Sequence, residues 1–148
     1  MREILRGDFR RHSNATTSTR SYRPDLCFYL ENVCIFRGEE ESSGPMQVPV
    51  QKLCEKLTWI YDNAPYVFGY AAVGYQLSLV VIKKYSTIQK PHGATAEVIQ
   101  QYDLGQLHGR LSLLLALLNL STLFRPVVEL IEPFSEPDYA NSDLSSTF

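Results

Sequence analysis

The sequence predicts an α/β domain in which a small mixed β-sheet, made of two strand pairs, is flanked by helices. Three observations lead to this prediction. Apolar, β-prone runs come in two pairs, a helix-patterned segment follows each pair, and short polar turns separate the segments. Strand pair, helix, strand pair, helix is an order typical of α/β folds. The 148 residues are enough for one such domain.

The first strand pair occupies residues 26–30 and 33–36, joined by the turn-compatible pair Glu31-Asn32. Both strands are apolar on both faces, which is typical of strands covered on each side. Apolar residues at helical spacing then predict a helix over residues 48–61. We expect this helix to end at Asp62-Asn63, because the chain cannot easily continue helically into Pro65.

The second strand pair is predicted over residues 66–73 and 75–82, around a turn at Gly74. A brief strand is expected at 95–102. Asp103 is then the predicted N-cap of a leucine-rich helix that stops just before Pro126, with a further helical turn over residues 127–131 as the alternative.

Residues 104–123 contain ten leucines and form the most apolar region of the chain. Its apolar run is interrupted by His108, Arg110 and Asn119, so no charge-free stretch reaches the length of about 18 residues expected of a membrane span. We therefore predict a buried amphipathic core helix here and no membrane association.

Composition excludes further classes of protein. The chain is 45% hydrophobic and 20% charged, so it is not disordered as a whole. Its three cysteines lack disulfide or zinc-ligand spacing, and residues 1–20 lack the apolar stretch of a secretory signal. An odd cysteine count fits a reducing compartment. We expect an intracellular protein, cytoplasmic or nuclear.

The net charge of −2 hides an uneven distribution, with +3 on residues 1–20 and −5 on residues 126–148. These differences predict three parts. Residues 1–21 form a basic, Ser/Thr-rich flexible arm, residues 22–131 the α/β domain, and residues 132–148 an acidic disordered tail. The arginines of the arm would suit contact with phosphates of a nucleic acid.

Several kinds of catalytic site are excluded by their motifs. The chain has no phosphate-binding loop with Lys-Ser/Thr, no HExxH, no GxSxG and no CxxC. Its three histidines, His12, His92 and His108, are isolated from one another in sequence. Catalysis by any of these familiar arrangements is not expected.

Acidic residues at the two ends of the first hairpin form the candidate site. Folding the hairpin about its turn brings Asp25 beside Glu39 and Glu40. Convergent carboxylates at a strand end can bind Mg²⁺, which keeps several waters and needs only one or two protein ligands. A two-residue turn would place Asp25 opposite Gly38, on the face of Glu40, whereas a three-residue turn would place it with Glu39. The sequence leaves both registers open.

Four blocks in order carry a resemblance to a known family. They are R-P-D-L-C-F-Y-L with F-R-G-E-E, the helix that follows, P-Y-V-F-G-Y-A-A-V-G-Y-Q-L, and Y-D-L to L-L-A-L-L-N-L. Over about residues 23–125 the chain resembles the nuclease-like domain of the PD-(D/E)xK superfamily, in the variety found in crinkler-type effectors and often ahead of a protein kinase domain. The resemblance implies a restriction-endonuclease-like fold, a nucleic-acid partner and an attached or partner kinase domain.

The same resemblance implies roles for individual residues. Asp25 matches the metal-binding aspartate and Glu39 the acid of the second element, with Mg²⁺ as cofactor and Glu40 as an assisting ligand. Glu41 stands where the family commonly has a lysine that orients the attacking water. Glu41 would serve as an extra metal ligand, or else Lys52 or Lys56 from the next helix would replace the missing lysine.

Two functional hypotheses follow from the sequence. In the first, the domain hydrolyses phosphodiesters with Mg²⁺ held by Asp25 and Glu39, in a partly degenerate site. In the second, the domain has lost catalysis and keeps its fold as an interaction or regulatory module of a multidomain, kinase-linked or effector protein.

Overall fold

The structure, a computed structural model, describes residues 7–11, 24–61 and 63–131. Within these ranges the chain forms one six-stranded β-sheet and three helices. In chain order the elements are β1 (Asp8–Arg11), β2 (Leu26–Leu30), β3 (Val33–Glu41), α1 (Gln47–Glu55), β4 (Val67–Val73), β5 (Gln76–Lys84), β6 (Ala94–Asp103), α2 (Leu107–Ser121) and α3 (Phe124–Leu130).

The strands lie in the sheet in their chain order, from β1 to β6. All neighbours are antiparallel except β3 and β4, which run parallel and are connected through α1. The predicted α/β class and mixed sheet are confirmed. The two predicted strand pairs are present as β2–β3 and β4–β5, but a sheet of only two pairs is wrong, because β1 and β6 extend the sheet at its edges to six strands. Periodicity identifies a strand but does not identify its neighbour.

The first hairpin has a two-residue turn at Glu31-Asn32, one of the two turn lengths that the sequence left open, and an unpredicted β-bulge. Glu31 and Asn32 both have positive φ, 51° and 65°, as a type I′ turn requires. The pairing then shifts by one residue between Phe28 and Tyr29, so that Ile35 is skipped in the register. The bulge adds the residue that a three-residue turn would have added.

The bulge decides the register at the open end of the hairpin. Leu26 pairs with Gly38, and Asp25, one step before Leu26, is therefore level with Glu39. Of the two registers that the sequence left open, the structure has the one that puts Asp25 with Glu39.

Helix α1 is shorter than the predicted helix over residues 48–61, because it ends at Glu55. Beyond it, Leu57, Trp59 and Tyr61 are buried while the residues between them are exposed, which is the alternation of an extended chain. β-branched and aromatic residues in this segment disfavour a helix. The prediction failed because the same apolar residues also fit helical spacing.

The connection to α2 also differs from the prediction. Strand β6 is ten residues long, and Asp103 ends it without capping a helix. The Asp103 carboxylate instead accepts a hydrogen bond from the Gly105 backbone N–H at 2.9 Å, and α2 begins at Leu107. A Cβ on Gly109 would lie 1.9 Å from the Asp103 carbonyl oxygen, so only glycine permits this close approach of α2 to β6.

The segment that follows β6 forms two helices, because α2 ends at Ser121 and α3 begins at Phe124. Pro126 lies in the first turn of α3, where its missing N–H costs nothing. Phe124 fixes α3 to the sheet through ring contacts with Phe28, Phe36 and Phe68, at centroid distances of 5.8, 5.9 and 6.2 Å. Lys56, at the end of α1, contacts Glu39 of β3, whereas Phe124 of α3 contacts Phe36 of the same strand. Residues 36 and 39 are an odd number of positions apart, so their side chains point to opposite faces of the sheet. Helices α1 and α3 therefore cover opposite faces.

The prediction that the leucine-rich helix is buried is wrong for most of α2. Within the described residues, only Gly109 and Leu120 of α2 are buried. The 24-residue stretch Leu107–Leu130 is long and apolar enough by length and composition to cross a membrane, and 17% of its most apolar 18-residue window is buried. A single apolar stretch of this kind is weak evidence that the chain spans a membrane.

The predicted parts at the chain ends are described only in small portions. Of the predicted flexible arm over residues 1–21, residues 7–11 are described, and Asp8–Arg11 form the edge strand β1. The predicted acidic tail over residues 132–148 lies outside the described residues.

Candidate functional site

Two ion pairs connect the end of β3 to α1. Glu39 and Glu41 are two residues apart on β3 and therefore point to the same face of the sheet, the face covered by α1. The Lys56 ammonium donates to both Glu39 carboxylate oxygens at 2.9 Å. Lys52, one helical turn earlier, donates to Glu41 Oε1. The strand thus supplies two acids, and α1 with its C-cap residue supplies two bases, which pair with the acids in the opposite order along the chain.

Glu39 is the most enclosed acid of this group, with 1% of its surface exposed. Burial raises the pKa of the Glu39 carboxyl, because the charged form loses hydration. Lys56 opposes this shift through its hydrogen bonds and charge, while the negative charge of Asp25 adds to it. The Lys52 pKa is raised in turn by its hydrogen bond to Glu41.

Asp25 lies at the entrance to β2, level with Glu39. Its Oδ2 accepts a hydrogen bond from the Glu40 backbone N–H at 2.8 Å, which ties the start of β2 to the end of β3. Its charge acts on both Glu39 and Lys52. The structure therefore brings Asp25, Glu39 and Glu41 to one edge of the sheet, beside Lys52 and Lys56.

Glu40 points to the opposite face of the sheet, the face covered by α3. Its Oε1 accepts a hydrogen bond from the Tyr70 hydroxyl at 2.6 Å and lies 3.8 Å from the Arg11 guanidinium. Burial, followed by the Glu40 contact, raises the Tyr70 pKa. Gly38 leaves the space for the Tyr70 ring, because a Cβ there would lie 2.1 Å from it. The Glu40 side chain, expected as an assisting metal ligand, is not brought together with Glu39.

An open cavity of about 500 Å³ adjoins this face at the ends of β3 and β4. The residues that line it are Glu40, Glu41, Ser42, Tyr70, Ala72, Gly74, Leu77 and Leu104. The lining combines two carboxylates and a phenol with aliphatic side chains. It could accept a mixed polar and apolar group next to the acidic edge.

The carboxylate oxygens of Asp25 and Glu39 are ligands of the kind that a hard divalent cation such as Mg²⁺ prefers. Among residues 7–11, 24–61 and 63–131, no three His, Cys, Asp or Glu side chains form a group that could hold a metal ion. Mg²⁺ needs fewer protein ligands, because it keeps several waters and is held by one or two carboxylates. Asp25 and Glu39 provide such oxygens. A cation on Glu39 would compete with Lys56, which occupies both of its oxygens.

Sequence reasoning missed two contributors to this region. Arg37 precedes Glu39 by two residues, so it shares the α1 face, and only 6% of it is exposed. Its Nε has no hydrogen-bond partner among the described residues. Tyr70, interpreted as a core strand residue, is the partner of Glu40. Because Arg37, Glu39 and Glu41 alternate along one strand, the sequence could have indicated that Arg37 shares a face with the two acids. Nothing in the local sequence indicated that Tyr70 contacts Glu40.

Comparison with known proteins gives one informative similarity. The chain is 40% identical over 120 residues to Crinkler effector protein 8 of Phytophthora infestans, a match that covers 80% of this chain and 19% of that protein. The chain thus spans about a fifth of the length of this relative. The match supports a relationship to crinkler-type effectors. No protein-family model matches the chain. No solved structure matches it either.

Proposed function

From its relationship to the crinkler-type effectors, we infer that this chain is a PD-(D/E)xK nuclease-like domain that hydrolyses phosphodiesters of nucleic acids inside cells with Mg²⁺. One observation carries this proposal: two acids from the first hairpin, Asp25 and Glu39, lie level at a sheet edge where α1 places two lysines. A restriction-endonuclease-like fold belongs to the same proposal. The mixed sheet with helices on both faces supports it.

In this proposal, the strand acids hold the cofactor and the helix lysines act on the phosphate. Asp25 and Glu39 would hold Mg²⁺, which when bound activates a water and offsets charge on the phosphate. Glu41 cannot supply a positive charge, although the family commonly has a lysine at its position. The ammonium groups of Lys52 and Lys56 would supply it from a different element.

The contact between Lys56 and Glu39 suggests how the two roles are connected. Without a cation, Lys56 is the counter-charge that makes burial of the Glu39 carboxylate tolerable. A divalent cation on Glu39 would take over that role. The Lys56 ammonium would then be free to orient a water or to contact a phosphate oxygen at the same edge.

The proposal is tested by incubating the purified chain with plasmid DNA and with single-stranded RNA, in Mg²⁺ or Mn²⁺ and in chelator. We expect metal-dependent cleavage that Asp25→Ala reduces by at least about 100-fold, a loss in the range seen when a transition-state interaction is removed. Glu97→Ala is the matched control, because Glu97 is an exposed acid on β6 and should leave cleavage unchanged. No cleavage by the wild type, or cleavage that survives Asp25→Ala, would contradict the proposal.

A second candidate is an interaction or regulatory module without catalysis, attached to a kinase or to another domain of an effector. The observation that favours it is the pairing of Glu39 and Glu41 with lysines, which leaves both acids neutralised. A folded wild type that cleaves neither nucleic acid in either metal would favour this function.

A further inference from the structure

We propose that the outward face of α2 is a self-association surface, through which two copies of this chain pack helix against helix. This face, the outer leucine face, consists of Leu107, Leu111, Leu114, Leu115 and Leu118. The proposal does not depend on the nuclease function.

The leucines of this face are between 52% and 64% exposed. The other side of α2 already packs on the core, through Leu113, Ala116, Leu117 and Leu120. The helix is therefore apolar on two opposite sides, whereas a surface helix normally has one apolar stripe, which faces the core. Five half-exposed leucines on one helix are more than the scattered surface apolar residues of an ordinary monomer.

The spacing of the outer leucine face is that of a helix-packing seam. Leu107, Leu111, Leu114 and Leu118 are separated by four, three and four residues, the alternation of the a and d positions of a heptad. At about 100° per residue these four share a stripe of about 60° of the helix circumference, which Leu115 widens to about 100°. Polar residues flank the stripe on both sides: His108, Ser112 and Asn119 on one, Arg110 and Ser121 on the other. An apolar centre with a polar rim is the usual anatomy of a protein interface.

A second copy fits this face in charge and in area. The face carries no charge, so two copies meet without repulsion, and the same patch serves on both sides of a two-fold axis. About half of each leucine's surface, summed over five side chains and two copies, is on the order of 1,000 Å². This area is at the lower limit for a biological interface and below the roughly 1,200–2,000 Å² of tight complexes, so the self-association is expected to be weak.

A membrane fits less well. The fifteen residues of α2 rise about 22 Å, less than the roughly 30 Å hydrocarbon core of a bilayer. Extending the span into α3 would pull Phe124, Val127 and Val128 out of the core in which they are buried. A helix lying in the interface plane usually has a polar face rich in Lys and Arg, whereas α2 has a single arginine and no lysine.

The test is the mass of the full chain in solution, measured by sedimentation velocity and light scattering from about 1 to 100 μM, a range that covers micromolar dissociation constants. We expect the wild type to reach twice the mass of one chain as concentration rises. The double variant Leu111→Glu/Leu118→Glu should remain a monomer, with a dissociation constant at least about 100-fold higher. Ile88→Glu, at a fully exposed aliphatic residue outside α2, is the matched control and should dimerise as the wild type does.

Four results would overturn the proposal: a monomeric wild type throughout the range, a double variant that still dimerises, a monomer that binds phosphatidylcholine vesicles through these leucines, or dimerisation only after truncation behind Ile131. The last would mean that residues 132–148 cover the face. Circular dichroism checks that the variants are folded. If a variant does not fold, the mass of the wild type across the concentration range still shows whether the chain self-associates.

Discussion

Glu39 is the residue on which the electrostatics of the site depend. It is enclosed between the sheet and α1, shares its edge with Asp25 and has both oxygens paired with Lys56. The sequence predicted an acidic site here and named both lysines. It could not predict which of Glu39 and Glu40 faces α1, because that parity is decided by the bulge at Ile35, in a strand that is apolar on both faces.

The raised pKa of Glu39 predicts a pH dependence of stability. An acid whose pKa is higher in the folded than in the unfolded chain stabilises the fold below its unfolded pKa, and this contribution is lost as pH rises through the folded pKa. The free energy of unfolding of the wild type, relative to Glu39→Gln, should therefore fall as pH rises from about 4 to 7, since the unfolded pKa is about 4.3. Urea unfolding across this range measures it, with Glu97→Gln as the control for an exposed glutamate. A difference that stays flat or rises with pH would be inconsistent with burial as the main cause.

The two lysines of the site should differ in their effect on stability. Lys56→Met removes the partner of a carboxylate that is 2% exposed, and we expect a loss of about 2 kcal/mol, less than for a fully buried pair because Glu39 can take up a proton. Lys52→Met breaks a pair whose side chains are 41% and 27% exposed, and should cost less than about 1 kcal/mol. Chemical denaturation of both variants at pH 7 compares them directly. Equal losses would mean that the Glu39 pair is no more protected from solvent than the Glu41 pair.

At the scale of elements, the two pairs of neighbouring strands were predicted, whereas the pairings β1–β2, β3–β4 and β5–β6 were not. The hairpin β2–β3, the pair β4–β5 around Gly74 and the start of α1 follow from apolar runs and turn residues. The end of α1 was wrong because Leu57 and Tyr61 fit two periodicities, and the burial of α2 was wrong because its apolar residues cover more of the helix than one core can contact. Both depend on neighbours that are distant in sequence.

Substitutions in the turn of the β2–β3 hairpin should stabilise the fold. Glu31 and Asn32 adopt positive φ, which Asn and Gly tolerate best in a type I′ turn. The change Glu31→Asn/Asn32→Gly should raise the free energy of unfolding by about 1 kcal/mol, because it relieves strain at both positions. Asn63→Gly, at an exposed turn residue outside this hairpin, is the control and should stabilise nothing. A destabilised double variant would show that the turn is not strained.

At the scale of the whole molecule, a net charge of only −2 hides the fact that basic and acidic side chains lie next to each other at one end of the sheet. Within the predicted basic arm, β1 places Arg11 opposite Leu26, next to Asp25 in the sheet and 3.8 Å from Glu40. A positive side chain thus borders the acidic edge. Composition predicted the charge of the arm, but not that part of it joins the sheet, because Asp8–Arg11 is short and entirely exposed.

Arg11 should contribute to nucleic-acid binding through counterion release. We expect Arg11→Ala to make the slope of log K against log salt less negative by about 1 for duplex DNA, without changing sequence preference. Fluorescence anisotropy between about 50 and 200 mM salt measures this slope. Arg110→Ala, at an exposed arginine on α2, should leave the slope as it is. Equal effects of the two substitutions would argue against a role for the acidic edge in binding.

The central claim, that Asp25 and Glu39 share a divalent cation, is tested most directly by calorimetric titration of the purified chain with Mn²⁺ and with Mg²⁺. We predict one binding event per chain for the wild type, lost in both Asp25→Asn and Glu39→Gln and retained in Glu97→Gln. A wild type that binds neither ion, or binding that persists undiminished in the Asp25 and Glu39 variants, would contradict the claim.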